Sequence, residues 1–116
     1  ADAGDDGRRF RDRLSGEAVV GPDLLRIEVT SVVRRHATTG QLTPAQADAV
    51  ISDLLDFPIT VFPTALLLRR AWELRQNLTA YDGCYVALAE AVDSPLVTAD
   101  RRLANAPGLR CAVEVL

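Results

Sequence analysis

Residues 79–100 read TAYDGCYVALAEAVDSPLVTAD, and this stretch decides the fold. From about residue 80 to 92 the chain is apolar nearly all round, which predicts a helix buried between other layers rather than one resting on a single face. Pro95-Leu96-Val97-Thr98 then predicts a short strand of the fully buried type. Asp100 follows at its carboxyl end and opens a helical turn over 100–104.

Working outward from there, the same alternation holds. Residues 64–76 predict a long helix with Leu67, Ala71 and Leu74 on its apolar side and Trp72 beside them. Ile59-Thr60-Val61-Phe62 predicts a strand stopped by Pro63, and Thr43-Pro44 carries the N-cap and N1 chemistry of a helix running to Asp56. Between Asp23 and Ala37, Leu25, Val29, Val32 and Val33 share one helical face, and Gly40 ends the segment. Glu17-Ala18-Val19-Val20 predicts a strand closed by Gly21-Pro22, preceded by a polar helix over about 6–15. Cys111–Val115 predicts a last strand. Helices alternating with strands imply an α/β domain with a largely parallel sheet, and ligands in such sheets bind off the carboxyl ends of the strands. No repeat or linker interrupts the pattern, so residues 1–116 are expected to form one domain.

Composition narrows the chemistry. A chain of 116 residues, 48% hydrophobic, can bury about two-thirds of its unfolded surface and needs no staples. No apolar run approaches the ~20 residues of a membrane span. Cys84 and Cys111 fit no zinc or disulfide pattern and read as small buried hydrophobes. One histidine, His36, leaves no His-clustered metal site; it sits with Arg34 and Arg35 near a helix end, where the dipole favours cations. All 13 basic residues are arginines, which removes Schiff-base chemistry and P-loop nucleotide binding, both of which need a lysine amine. A net charge of −3 gives no general attraction for nucleic acid, although local arginine clusters can supply it. A cytoplasmic location is expected.

Three acidic residues stand where a site would form. Glu28 lies on the edge of an apolar helical face, where a solvated carboxylate is the ordinary alternative. Asp82 sits in the first turn of the most apolar helix, a position the helix dipole favours with or without function. Asp100 ends a strand, where it serves equally as a helix N-cap. Brought together, three carboxylates would repel unless a cation sat among them. Hard oxygen donors without His or Cys suit Mg²⁺ or Mn²⁺, and such sites activate water and steady a phosphodiester under attack.

At these residues the chain resembles the PIN-domain ribonucleases, close to the VapC-type toxins of bacterial toxin–antitoxin pairs. The segments that carry the resemblance are Pro22-Asp23-Leu24-Leu25-Arg26-Ile27-Glu28-Val29, then Thr79-Ala80-Tyr81-Asp82 running into Tyr85-Val86-Ala87-Leu88-Ala89-Glu90, then Leu96-Val97-Thr98-Ala99-Asp100-Arg101-Arg102-Leu103. It implies a three-layer α/β/α sandwich and metal-dependent hydrolysis of RNA by activated water. Glu28, Asp82 and Asp100 become catalytic and metal-holding carboxylates, with Thr98 the hydroxyl that supports them. A homodimer and a cognate antitoxin lying over the acidic groove are implied as well. The family pattern opens with an apolar strand ending in Asp. No such strand stands here, and Asp2, Asp5 and Asp6 lie in a polar, glycine-containing stretch, so none of them takes that role. The first strand is therefore expected upstream of Ala1, and the chain as written is expected to be inactive.

Arg101 and Arg102 follow Asp100 directly and are candidates to grip RNA phosphates, a solvated surface being the alternative. The run Arg8, Arg9, Arg11, Arg13 reads as a solvated face, with an RNA or partner contact the alternative, and Trp72 as core or interface rather than a base-stacking platform. Two other functions compete. A receiver-like or phosphatase-like phosphoryl enzyme also gathers carboxylates at strand ends, but the absence of lysine weighs against it. A degenerate PIN-like module that dimerises and binds a partner or RNA without cleaving is the other.

Overall fold

The computed structural model describes residues 3–116, with side chains from Arg8 onward; Asp2, and the side chains of Asp5 and Asp6, lie outside the described residues. The chain divides into two compact units, Ala1–Thr60 and Val61–Leu116.

The first unit opens with α1 (Ala3–Leu14), the polar helix expected from the sequence, and continues through β1 (Val19–Pro22), α2 (Leu25–Thr38) and α3 (Pro44–Asp56) into the start of β2 (Ile59–Phe62). β1 pairs with β2. A Cβ at Gly21 in β1 would stand 2.8 Å from Leu25 Cδ1, the movable end of that side chain, so the start of α2 packs close to the strand end. α3 begins on a capping box: Thr43 Oγ1 accepts from the Gln46 N–H at 3.1 Å while Gln46 Oε1 accepts from the Thr43 N–H at 2.9 Å, with Pro44 at the first helical position. Two N-terminal donors are thereby satisfied at once. Arg26 of α2 fixes the far end of α3, donating from Nη2 to the Phe57 carbonyl at 2.9 Å and from Nε to the Leu54 carbonyl at 3.4 Å. Carbonyls that a helix terminus leaves unpaired so find a cationic donor.

The second unit departs from the expected long helix over 64–76. A 3-10 turn, Thr64–Leu66, gives way to a short helix, α4 (Leu68–Glu73). The turns beyond it close by i→i+3 bonds, Arg75 N–H to the Trp72 carbonyl and Asn77 N–H to that of Leu74. Asn77 Nδ2 also donates to the Pro107 carbonyl at 3.2 Å, tying this turn to the later loop. The apolar stripe itself survives the break: Leu67, Ala71 and Leu74 are all buried, because i, i+4, i+7 spacing keeps them on one side despite the irregular backbone. Trp72 does not join them; it is 60% exposed and is no core residue.

α5 (Ala80–Ala91) is the buried helix anticipated from its composition, with Gly83, Cys84 and Val86 through Ala89 all inaccessible. It ends in a Schellman motif. Ser94 N–H returns to the Ala89 carbonyl at 3.0 Å and Asp93 N–H to that of Glu90 at 3.3 Å, with Asp93 in the left-handed region at φ 52° and Pro95 just beyond. β3 (Leu96–Thr98) then pairs in parallel with β4 (Val113–Val115), in the register Leu96 to Val113 and Thr98 to Val115. The expected last strand is shorter than its 111–115 span. Cys111 packs instead with Leu78, Leu96 and Leu109 around the buried cluster of Leu74, Val86 and Leu103. Leu103 belongs to α6 (Arg101–Ala104), so this core anchors the short helix that follows the strand end.

Candidate active site

Asp82 and Asp100 are each placed by a threonine. Thr79, the N-cap of α5, accepts from the Asp82 N–H at 3.1 Å. This fixes the first turn of the buried helix, where the unpaired N–H groups and the dipole favour an anionic side chain. At the end of β3, Thr98 Oγ1 accepts from the Asp100 N–H at 3.0 Å. The hydroxyl therefore shapes the backbone bend that presents Asp100. Asp100 in turn caps α6, its Oδ1 accepting from the Arg102 N–H at 2.9 Å. Both carboxylates are half-buried.

Arg102 links them. Its guanidinium donates to Asp100 from Nε at 3.2 Å and from Nη2 at 3.2 Å, one bond to each oxygen. These bonds, together with the backbone donor of Arg102, hold the Asp100 carboxyl below its ordinary value. Arg102 is itself shifted upward, chiefly by Asp100 and more weakly by the charge on Asp82. Two acidic residues from different elements thus act on one cationic point. Because the Arg102 side chain is 93% exposed, water screens that attraction and leaves the guanidinium exchangeable. Arg101 is exposed beside it.

Glu28 lies in the other unit, in the first turn of α2, half-buried, with its N–H bonded to the Leu24 carbonyl at 3.0 Å. Among the described residues, no group of three or more His, Cys, Asp and Glu side chains gathers closely enough to hold a metal ion. Asp82 and Asp100 fit a Mg²⁺- or Mn²⁺-class ion in donor type, being hard anionic oxygens around one site of positive charge.

Some of the arrangement behind the site carried no sequence signal. Glu90 of α5 receives Arg70 of α4 bidentately, from Nε at 2.7 Å and Nη2 at 3.2 Å, and also accepts from the Arg110 N–H at 2.7 Å. Arg70 Nη2 reaches on to the Gly108 carbonyl at 2.7 Å. One carboxylate so ties two helices to the loop leading into β4, the strand paired with the one that ends at Asp100. Its charge is stabilised first by Arg70, against the cost of burial, and its pKa falls below the ordinary value. Cys84 is buried and Cys111 half-buried, neither of them in a disulfide, and burial pushes the Cys111 thiol up. His36 is half-buried near the end of α2, its Nδ1 without a hydrogen-bond partner among the described residues.

The PIN-domain family model matches residues 3–109. The chain belongs to the PIN-domain family, and its alternating helices and parallel β3–β4 pair accord with the α/β/α fold of that class. It is 37% identical over 106 residues to "Ribonuclease VapC9" of Mycobacterium tuberculosis, covering 91% of this chain and 84% of the relative. "Ribonuclease VapC1" of the same species is 41% identical over 96 residues, covering 82% of this chain and 72% of the relative. "Ribonuclease VapC12", again from that species, is 34% identical over 104 residues, covering 90% and 81%.

Proposed function

We propose that this chain is a VapC-type ribonuclease, a toxin that hydrolyses RNA with a divalent ion, Mg²⁺ or Mn²⁺. The observation that carries the reading is Asp100, presented at a strand end by Thr98 and paired with the exposed Arg102, in a chain of the PIN-domain family whose relatives are named ribonucleases. Residues 1–116 are read as one PIN-like domain, cytoplasmic, acting as a homodimer and restrained by a cognate antitoxin.

Asp82 and Asp100 would hold the ion, with Glu28 as third acidic residue and Thr98 keeping Asp100 presented through its N–H. When bound, such an ion polarises a phosphodiester and lowers the pKa of water. The protein's share is orientation and charge. The Thr79 cap fixes the turn that carries Asp82, and Thr98 fixes the bend that presents Asp100. Arg102, exposed and paired with Asp100, and its neighbour Arg101 would contact the phosphates that flank the scissile bond.

The test is cleavage of a mixed structured RNA pool by the full-length protein with Mg²⁺ or Mn²⁺. Cleavage is expected to disappear in EDTA and in Asp82→Asn, and equal cleavage by that variant would overturn the assignment. A second reading, a PIN-like module that binds RNA or a partner without cleaving, is favoured by one observation: no triple acidic cluster forms among the described residues. A folded protein that binds neither Mg²⁺ nor Mn²⁺ would establish that reading instead.

A further inference from the structure

Trp72 is the sole tryptophan of the chain and is 60% exposed. A lone exposed aromatic ring is unremarkable, but this one is built into a stack. The Arg75 guanidinium lies over it, Cζ 4.6 Å from the ring centroid. Arg75 Nη1 is held there by donating to the Trp72 carbonyl at 3.0 Å. Leu68, one helical turn earlier and on the same side of α4, is exposed as well.

Trp72 belongs to the helix that packs against the start of α5. Ala71 of α4 and Gly83 of α5 touch: a Cβ on Gly83 would stand 3.1 Å from the Ala71 Cα. Trp72 follows Ala71 in the chain and Asp82 precedes Gly83. With one Cα step on either side of that contact, the two residues' Cα atoms are at most about 12 Å apart, within reach of a short single-stranded segment.

We propose that Trp72 and Arg75 form a stacking platform for an unpaired nucleobase of the RNA, near Asp82. The proposal rests on the reading of the chain as a ribonuclease and assigns how it holds its substrate. A net charge of −3 and an acidic site provide no general electrostatic hold on a polyanion, so affinity has to come from local contacts. An indole with a guanidinium stacked on it supplies two planar surfaces and a delocalised cation. Base stacking on such a surface is worth about 1–3 kcal/mol per base and tolerates any sequence, since every base has a π face. It demands an unpaired base, which directs the platform to loops and single strands.

Because Trp72 is the only tryptophan of residues 1–116, the fluorescence that Trp72→Ala removes from the full-length protein reports the contact. In EDTA, where the RNA stays intact, a short mixed-sequence single-stranded RNA should quench the full-length protein saturably. The same strand locked in a duplex, or with abasic sites, should quench little. Trp72→Ala, with its fold checked by circular dichroism, should weaken binding of a labelled single strand about 5- to 100-fold, and Trp72→Phe should retain most of the affinity. Cleavage is read separately with Mg²⁺ or Mn²⁺ present, which separates this contact from catalysis. Quenching without cleavage under any metal condition would sustain the platform and overturn the ribonuclease reading. Equal quenching by abasic RNA, or unchanged affinity in Trp72→Ala, would overturn the platform. So would a Trp72→Ala variant that changes oligomeric state while its RNA affinity stays put, since the ring would then face a second copy of the chain.

Discussion

Gly83 and Ala71 lie backbone against backbone. A Cβ on Gly83 would stand 3.0 Å from the Ala71 Cβ and 3.1 Å from its Cα, tighter than most real Cβ contacts. That contact sets the spacing of α4 and α5 and therefore where the first turn of α5, with Asp82, is held.

Gly83→Ala is accordingly expected to destabilise the protein. Alanine improves helix propensity by about 1 kcal/mol, but the added methyl meets backbone that cannot rotate away. Overpacking of this kind costs about 1–3 kcal/mol, so the net loss should be about 1 kcal/mol, a fall in Tm of a few degrees. Thermal denaturation followed by circular dichroism measures it. Combined with Ala71→Gly, the total loss should be less than the sum of the two single losses, through relief at the same contact. An unchanged or raised Tm for the single variant would mean that the helices part freely.

How much of this was legible beforehand divides along physical lines. The order of helices and strands, and the buried character of α5, followed from periodicity and composition, since an apolar face is written directly into the residues that form it. Asp82 and Asp100 stood out by position, at a helix start and a strand end. The break in the predicted 64–76 helix was not legible, because Leu67, Ala71 and Leu74 keep helical spacing while the backbone tightens into 3-10 turns at both ends of α4. Of the two places read for Trp72, core or interface, its exposure removes the core: it neighbours a buried residue in sequence but lies off the stripe. The bidentate grip of Arg102 on Asp100, and that of Arg70 on Glu90 twenty residues away, depend on side-chain geometry that no spacing rule encodes.

Glu90 carries a pH prediction. Its folded-state pKa lies below the ordinary value of 4.5, chiefly through Arg70. A depressed carboxylate contributes stability that is fully present above its unfolded pKa and is lost as pH falls through the folded one. With the Glu90 side chain only 11% exposed, little screening intervenes, and Glu90→Gln should lose about 1–3 kcal/mol near neutral pH. Urea denaturation at a series of pH values should show the gap between the two proteins narrow as pH drops below 4.5. A gap that stays constant into acid would show that the carboxylate's charge is not what secures the loop before β4.

Asp93 offers a change in the opposite direction. It occupies the left-handed position of the Schellman motif that ends α5, with φ 52°, and there its Cβ crowds the backbone while glycine pays no such penalty. The motif's two returning hydrogen bonds, from Ser94 to Ala89 and from Asp93 to Glu90, use backbone atoms alone, so they survive substitution. Asp93 is exposed, and it also places a negative charge at a helix C-terminus, where the dipole disfavours it. Asp93→Gly removes both costs, offset in part by the greater freedom glycine confers on the unfolded chain. The balance should stabilise the protein by about 0.5–1 kcal/mol, read as a rise in Tm of a few degrees. Asp93→Asn separates the two contributions: it keeps a residue that tolerates the left-handed region and removes only the charge, so it should recover the smaller, salt-sensitive part. If Asp93→Gly lowered Tm instead, the αL turn into Pro95 would be held by the aspartate side chain and not by the backbone motif.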